Sequence, residues 1–111
     1  MKDLPADVVP YKRTSEFTAT SVPNGLLHAH STKANVWGKI VVLSGTLVYR
    51  ILEPVVEEIL ITPETFGVIE PAVEHEVLPQ NEVRFYVEFY HEANATLQAK
   101  MINNNCEDTA F

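Results

Sequence analysis

The chain has 111 residues, of which 46% are hydrophobic and 21% charged, with a formal net charge of −7. That length suits one domain of ordinary globular composition, small enough that a homodimer is an expected way to bury more surface. The acidic balance argues against nucleic acid and anionic membrane as partners, and any anion must be drawn in by a local positive centre such as a metal ion.

From the N-terminus, Met1-Lys2-Asp3-Leu4-Pro5 has no apolar run of the kind a signal peptide carries. No apolar stretch approaches the roughly 20 residues of a membrane helix, so a cytoplasmic location is expected. Residues 8–11 and 16–20 read as short strands, and Pro23-Asn24-Gly25 as a turn leading into a strand over 26–30. The run 36–43 is rich in β-branched and aromatic residues. Ser44-Gly45 marks a tight hairpin, and 46–52 is the return strand. Glu53-Pro54 opens a further connection to strands at 57–62, 66–70 and 75–78. After Pro79-Gln80-Asn81-Glu82, residues 83–91 give the clearest strand of all. Trp37 reads as core. Residues 92–101 suit a short helix, and 103–111 a frayed tail holding the single cysteine, Cys106. One cysteine forms no intrachain disulfide, and with no histidine or basic residue close in sequence it reads as a tail thiol. Many short strands with Gly and Pro between them predict an all-β sandwich or barrel.

Three of the four histidines fall in two of these segments. His28 and His30 are two apart, so on a strand they point to one face. His75 follows Gly67 and Pro71 in a second segment and could close on the first. Neutral imidazole is the commonest side-chain ligand for Zn, Fe, Ni and Cu. On 83–91 the residues Arg84, Tyr86, Glu88 and Tyr90 share one face, and Val83, Phe85, Val87, Phe89 and His91 the other. His91, at the strand end and out of phase with Glu88, reads as a surface histidine. Glu70, Glu74 and Glu76 form an acidic rim around the second segment.

The pattern of Gly25, His28, His30 and Gly45, followed by Gly67, Pro71 and His75, resembles the two motifs of the cupin superfamily. Val42-Leu43-Ser44-Gly45-Thr46-Leu47 is similar to the hairpin that ends the first motif. Two residues separate Gly25 from His28, where the usual motif has five, and the first-motif Glu is missing. Counting back from Gly45, its place falls at Gly38. The runs His30-Ser31-Thr32-Lys33-Ala34-Asn35-Val36-Trp37-Gly38-Lys39 and Phe85-Tyr86-Val87-Glu88-Phe89-Tyr90 look more specifically like the TehB/YeaR-like cupins, related to the N-terminal part of tellurite resistance protein B. In that family the position of His28 is often Glu, and His30 and His75 match the expected histidines.

The resemblance implies a cupin-type double-stranded β-helix, a jelly-roll barrel, over about 8–91, with a C-terminal extension over 92–111. It implies a divalent ion (Zn, Fe or Ni) held by His28, His30 and His75, with Glu88 supplying the missing acid if its face lines the lumen. Three functions follow as expectations. The first is an open metal position that captures a small molecule or oxyanion, in keeping with the family's link to tellurite or to oxidative and nitrosative stress. The second is a metal-dependent enzyme of dioxygenase or isomerase type. The third is a structural ion in a dimerisation or partner-binding module. Some relatives fuse this domain to a methyltransferase; this chain shows no Gly-rich nucleotide loop after a strand, so that reaction is not expected of it.

Overall fold

The computed structural model describes residues 1–28, 30–80 and 82–92. The strands are β1 Val8–Arg13, β2 Phe17–Thr18, β3 Trp37–Ser44, β4 Leu47–Ile51, β5 Glu57–Ile61, β6 Phe66–Ile69, β7 His75–Pro79 and β8 Arg84–Glu92. The all-β expectation holds. The helix expected over 92–101 and the tail with Cys106 lie outside the described residues, except for Glu92, which ends β8.

Every ladder is antiparallel. One sheet runs β1-β8-β3-β6, with β2 also on β8, and the other runs β5-β4-β7. The described strands form two sheets and not a closed barrel: among the described residues no ladder joins the sheets, and β5 and β6 each pair on one side only. No helix among them is long and apolar enough to cross a membrane.

The core lies between the sheets, because each long strand alternates apolar and polar residues. Phe85, Val87 and Phe89 of β8 face Leu47 and Tyr49 of β4, Ile61 of β5 and Val77 of β7, all nearly fully buried. A buried Phe or Leu contributes about 1.5–3 kcal/mol. The β8 phase predicted from sequence is therefore right about the core, but it also carries His91 inward. That histidine is buried, its ring stacked on Tyr11 at 4.5 Å. Trp37, expected in the core, is half-buried on the outer phase of β3, level with Tyr90.

Residues 26–28 do not open the strand expected over 26–30. Asn24–Leu27 is a 3-10 turn, opened by extended Pro23, with the Leu26 N–H donating to the Pro23 carbonyl at 3.0 Å. Asn and Gly favour the turn, and burying Leu26 fixes it. Ser44-Gly45 turns the chain, with Gly45 at φ +74°, but the expected hairpin does not form: β3 pairs with β6 and β8, β4 pairs with β5 and β7, and the turn passes from one sheet to the other. A Cβ there would stand 2.8 Å from Val83 Cα and 2.9 Å from the Glu82 carbonyl oxygen. Both are backbone, so Gly45→Ala is expected to cost about 1–3 kcal/mol. A lower urea midpoint at unchanged m-value is the result that checks it.

Candidate metal centre

His30 lies outside the named strands and forms one isolated bridge with His75, the first residue of β7. The His30 N–H donates to the His75 carbonyl at 2.9 Å, and the His75 N–H returns to the His30 carbonyl at 2.7 Å. Directly opposed residues of an antiparallel pair project their side chains to one face. The two imidazoles accordingly meet edge to face, centroids 5.8 Å apart. The chain after His30 is held by Thr32, which is buried and donates its hydroxyl to the Val36 carbonyl at 2.9 Å. The Thr of the His-x-Thr-Lys run therefore fixes the loop between His30 and β3.

His75 is 1% exposed. Its Nδ1 lies 3.1 Å from the Val73 carbonyl oxygen. A carbonyl only accepts, so Nδ1 carries the proton and Nε2 presents a lone pair. Nε2 is buried and has no hydrogen-bond partner among the described residues. An orphaned basic nitrogen whose tautomer is set by a backbone carbonyl is the arrangement of a metal-ligating histidine. Tyr49 backs the ring at 5.9 Å, its own hydroxyl spent on the Val68 carbonyl.

Burial holds both imidazoles below their ordinary pKa of 6.5, and at His75 the neighbouring His30 adds to this against the Val73 hydrogen bond. Both rings are therefore neutral at pH 7, as a metal ligand must be. The unfolded chain takes up these protons from 6.5 downward and the folded chain only lower. Stability is thus fully present above 6.5 and falls as pH drops toward the folded values. Metal-free protein is expected to melt at lower temperature at pH 5 than at pH 8. A His30→Phe/His75→Phe double variant should show a shallower fall across the same melting series.

The other two expected ligands are not brought to this pair. His28 is exposed just past the 3-10 turn. Glu88 sits on the outer phase of β8, opposite Phe85, Val87, Phe89 and His91. Its carboxylate accepts the Tyr90 hydroxyl at 2.5 Å; burial first, then Glu88, pushes that hydroxyl up to about 12. Arg84, a candidate partner for Glu88, pairs instead with Glu16. Gly38, the place counted for the missing acid, is an inward position of β3. A Cβ there would meet the Ile69 side chain at 2.9–3.3 Å, so Ile69 fills the space an acid would take. Among the described residues no group of three or more His, Cys, Asp or Glu forms a metal cluster.

Two imidazoles on one tetrahedral ion at about 2.1 Å from each nitrogen have centroids roughly 5.3 Å apart. The observed 5.8 Å is about 0.5 Å wider than that separation. The residues present therefore fit part of a metal site, two ligands of a set. Tyr49 reads from the sequence as a packing residue, and its burial fits that; the Val73 carbonyl that orients His75 leaves no signal in the sequence.

A two-sheet antiparallel domain in which buried His75 meets half-buried His30 is the class this structure defines. The chain belongs to the TehB-like domain family, which matches residues 12–87. No curated protein matches it significantly. Among solved structures it is similar to TehB from Haemophilus influenzae, at 26% identity and a TM-score of 0.79, over 89% of this chain and 36% of that one. It thus spans about a third of that relative. A protein from E. coli strain K12 shares the fold at 20% identity and a TM-score of 0.75, over 83% of this chain and 98% of that one.

Proposed function

We propose that this chain is a cupin-type metal-binding domain in which His30 and His75 hold a divalent ion. Positions left open on that ion take a small molecule or oxyanion. The observation that carries the reading is the buried Nε2 of His75, kept as a lone-pair donor by the Val73 carbonyl and set beside His30. Such an ion supplies Lewis-acid attraction for an oxygen ligand. The chain's part is to bind and orient. The backbone bridge holds the two rings on one face, Tyr49 packs behind His75, and burial keeps both rings neutral. In a chain of net charge −7 an anion needs a local positive centre of this kind. The family's association with tellurite resistance agrees with an oxyanion as that ligand.

A structural ion would call for a closed set of four ligands. Two imidazoles among the described residues favour the open reading. The test is metal content of the purified protein by elemental mass spectrometry, beside a His30→Ala variant. Near-stoichiometric Zn, Fe or Ni in the parent and a loss of most of it in the variant is the expected result. Equal content in both, or none in the parent even after each ion is added, would overturn the reading.

A further inference from the structure

The outer side of the larger sheet carries an ordered pattern of side chains. Directly opposed residues of β3 and β8 project there in pairs, Trp37 with Tyr90, Lys39 with Glu88 and Val41 with Tyr86. All six are half-buried. Phe66 of β6 continues the last row beside Val41 and is 45% exposed. Two aromatic rows thus flank one charged row.

An ionic partner finds no excess charge on this face. Arg13 lies over the Tyr86 ring at 4.7 Å, Lys39 over the Phe66 ring at 4.6 Å, and Arg84 pairs with Glu16. These three cations balance Glu16, Glu88 and Glu92, so the face is neutral in a chain of net charge −7. The outer side of the smaller sheet instead sets two carboxylates, Glu58 and Glu76, on Arg50, and two copies meeting there would repel. A neutral face rich in aromatic residues has the composition of an interface core.

The rows are also self-complementary. A two-fold axis along the strands, midway between β3 and β8, exchanges the two members of every row. It sets Lys39 of one protomer over Glu88 of its partner, and Glu88 over Lys39. Trp37 meets Tyr90 in the same way, and Val41 meets Tyr86. The four strands β1, β8, β3 and β6 present a planar footprint of roughly 400–450 Å² a copy at the usual strand spacing and rise. With side-chain relief, two copies approach the ~1,000 Å² at which a specific interface begins, a size that suits a weak, reversible dimer.

We propose that this chain forms an isologous dimer through the outer side of its larger sheet, with Lys39 and Glu88 exchanged across the two-fold axis. The interface is separate from the histidine pair, which faces the other way, toward the smaller sheet.

The test is sedimentation equilibrium of the full chain from micromolar to submillimolar concentration, beside Lys39→Glu, Glu88→Lys and an equimolar mixture of the two. A dissociation constant on the order of ten micromolar is expected for the parent. Each single substitution sets like charges over each other twice per dimer and should weaken it by about tenfold or more. In the mixture each contact regains one carboxylate and one ammonium, so the mixed dimer should return to within about threefold of the parent. The pair within each sheet stays broken there, so only contact between copies gives that recovery. Trp37, the chain's only tryptophan, supplies a second reading on the parent alone. Acrylamide should quench its fluorescence less at high protein concentration than at low. Thermal melts identify a variant that fails to fold, and the quenching series then decides. A monomer throughout the range, folded single variants that dimerise like the parent, a mixture no tighter than its folded components, or quenching independent of concentration would overturn the proposal.

Discussion

Replacing His75 by alanine is expected to abolish metal uptake and to lower the unfolding free energy by about 2–4 kcal/mol. The ring is fully buried, packed edge-on against Tyr49 and His30, so its loss leaves a cavity as well as a missing ligand. Two effects in one variant need separating. His75→Phe keeps most of the volume and removes the nitrogens, so it should recover part of the stability and none of the metal. Urea titration reads the first quantity and elemental analysis the second. If His75→Phe retained metal at the parent's level, His75 would not be a ligand.

Gly38→Glu is the second large effect. Its side chain would enter the space that Ile69 fills, 2.9 Å from the Ile69 Cδ1 at the Cβ alone. A carboxylate introduced there would be buried between the sheets with no partner on the neighbouring residues, Ile69 of β6 and Phe89 of β8. An uncompensated buried charge costs roughly 3–5 kcal/mol. In EDTA the variant is therefore expected to be strongly destabilised or unfolded. Paired with Ile69→Ala, which opens the space, and given a divalent ion, the same carboxylate should act as a third ligand and restore much of the loss. Thermal melts of the double variant with and without Zn(II) read this directly. A metal-induced gain no larger than the parent's would separate Gly38 from the centre.

The strands are legible in the sequence because alternation reports burial. Along β8 the phase of Phe85, Val87 and Phe89 predicts the buried row, and the structure buries that row. The same phase carries His91 inward, but polarity at a strand end suggests surface, and the stacking on Tyr11 has no signal in sequence. The histidine pair is legible in part. His75 and His30 are matched by resemblance, and the backbone bridge brings them together. Joining His28 to them requires 26–30 to be a strand. Asn24 and Gly25 continue the turn and Leu26 buries into the core, so the two-residue periodicity never starts. Glu88 fails for the opposite reason. Its strand is regular, and regularity puts it on the face away from the core. Strand count and spacing suggest a sandwich or barrel, and they do not reveal whether β5 and β6 pair across the gap between sheets.

The most direct test of the central claim is a crystal structure of the metal-loaded protein with anomalous diffraction measured at the absorption edge of the bound ion. One strong peak is expected within about 2.0–2.2 Å of the Nε2 of His75 and of a ring nitrogen of His30, with a further position open to solvent or an oxyanion. A peak elsewhere, or none between two imidazoles that keep their present contacts, would contradict it.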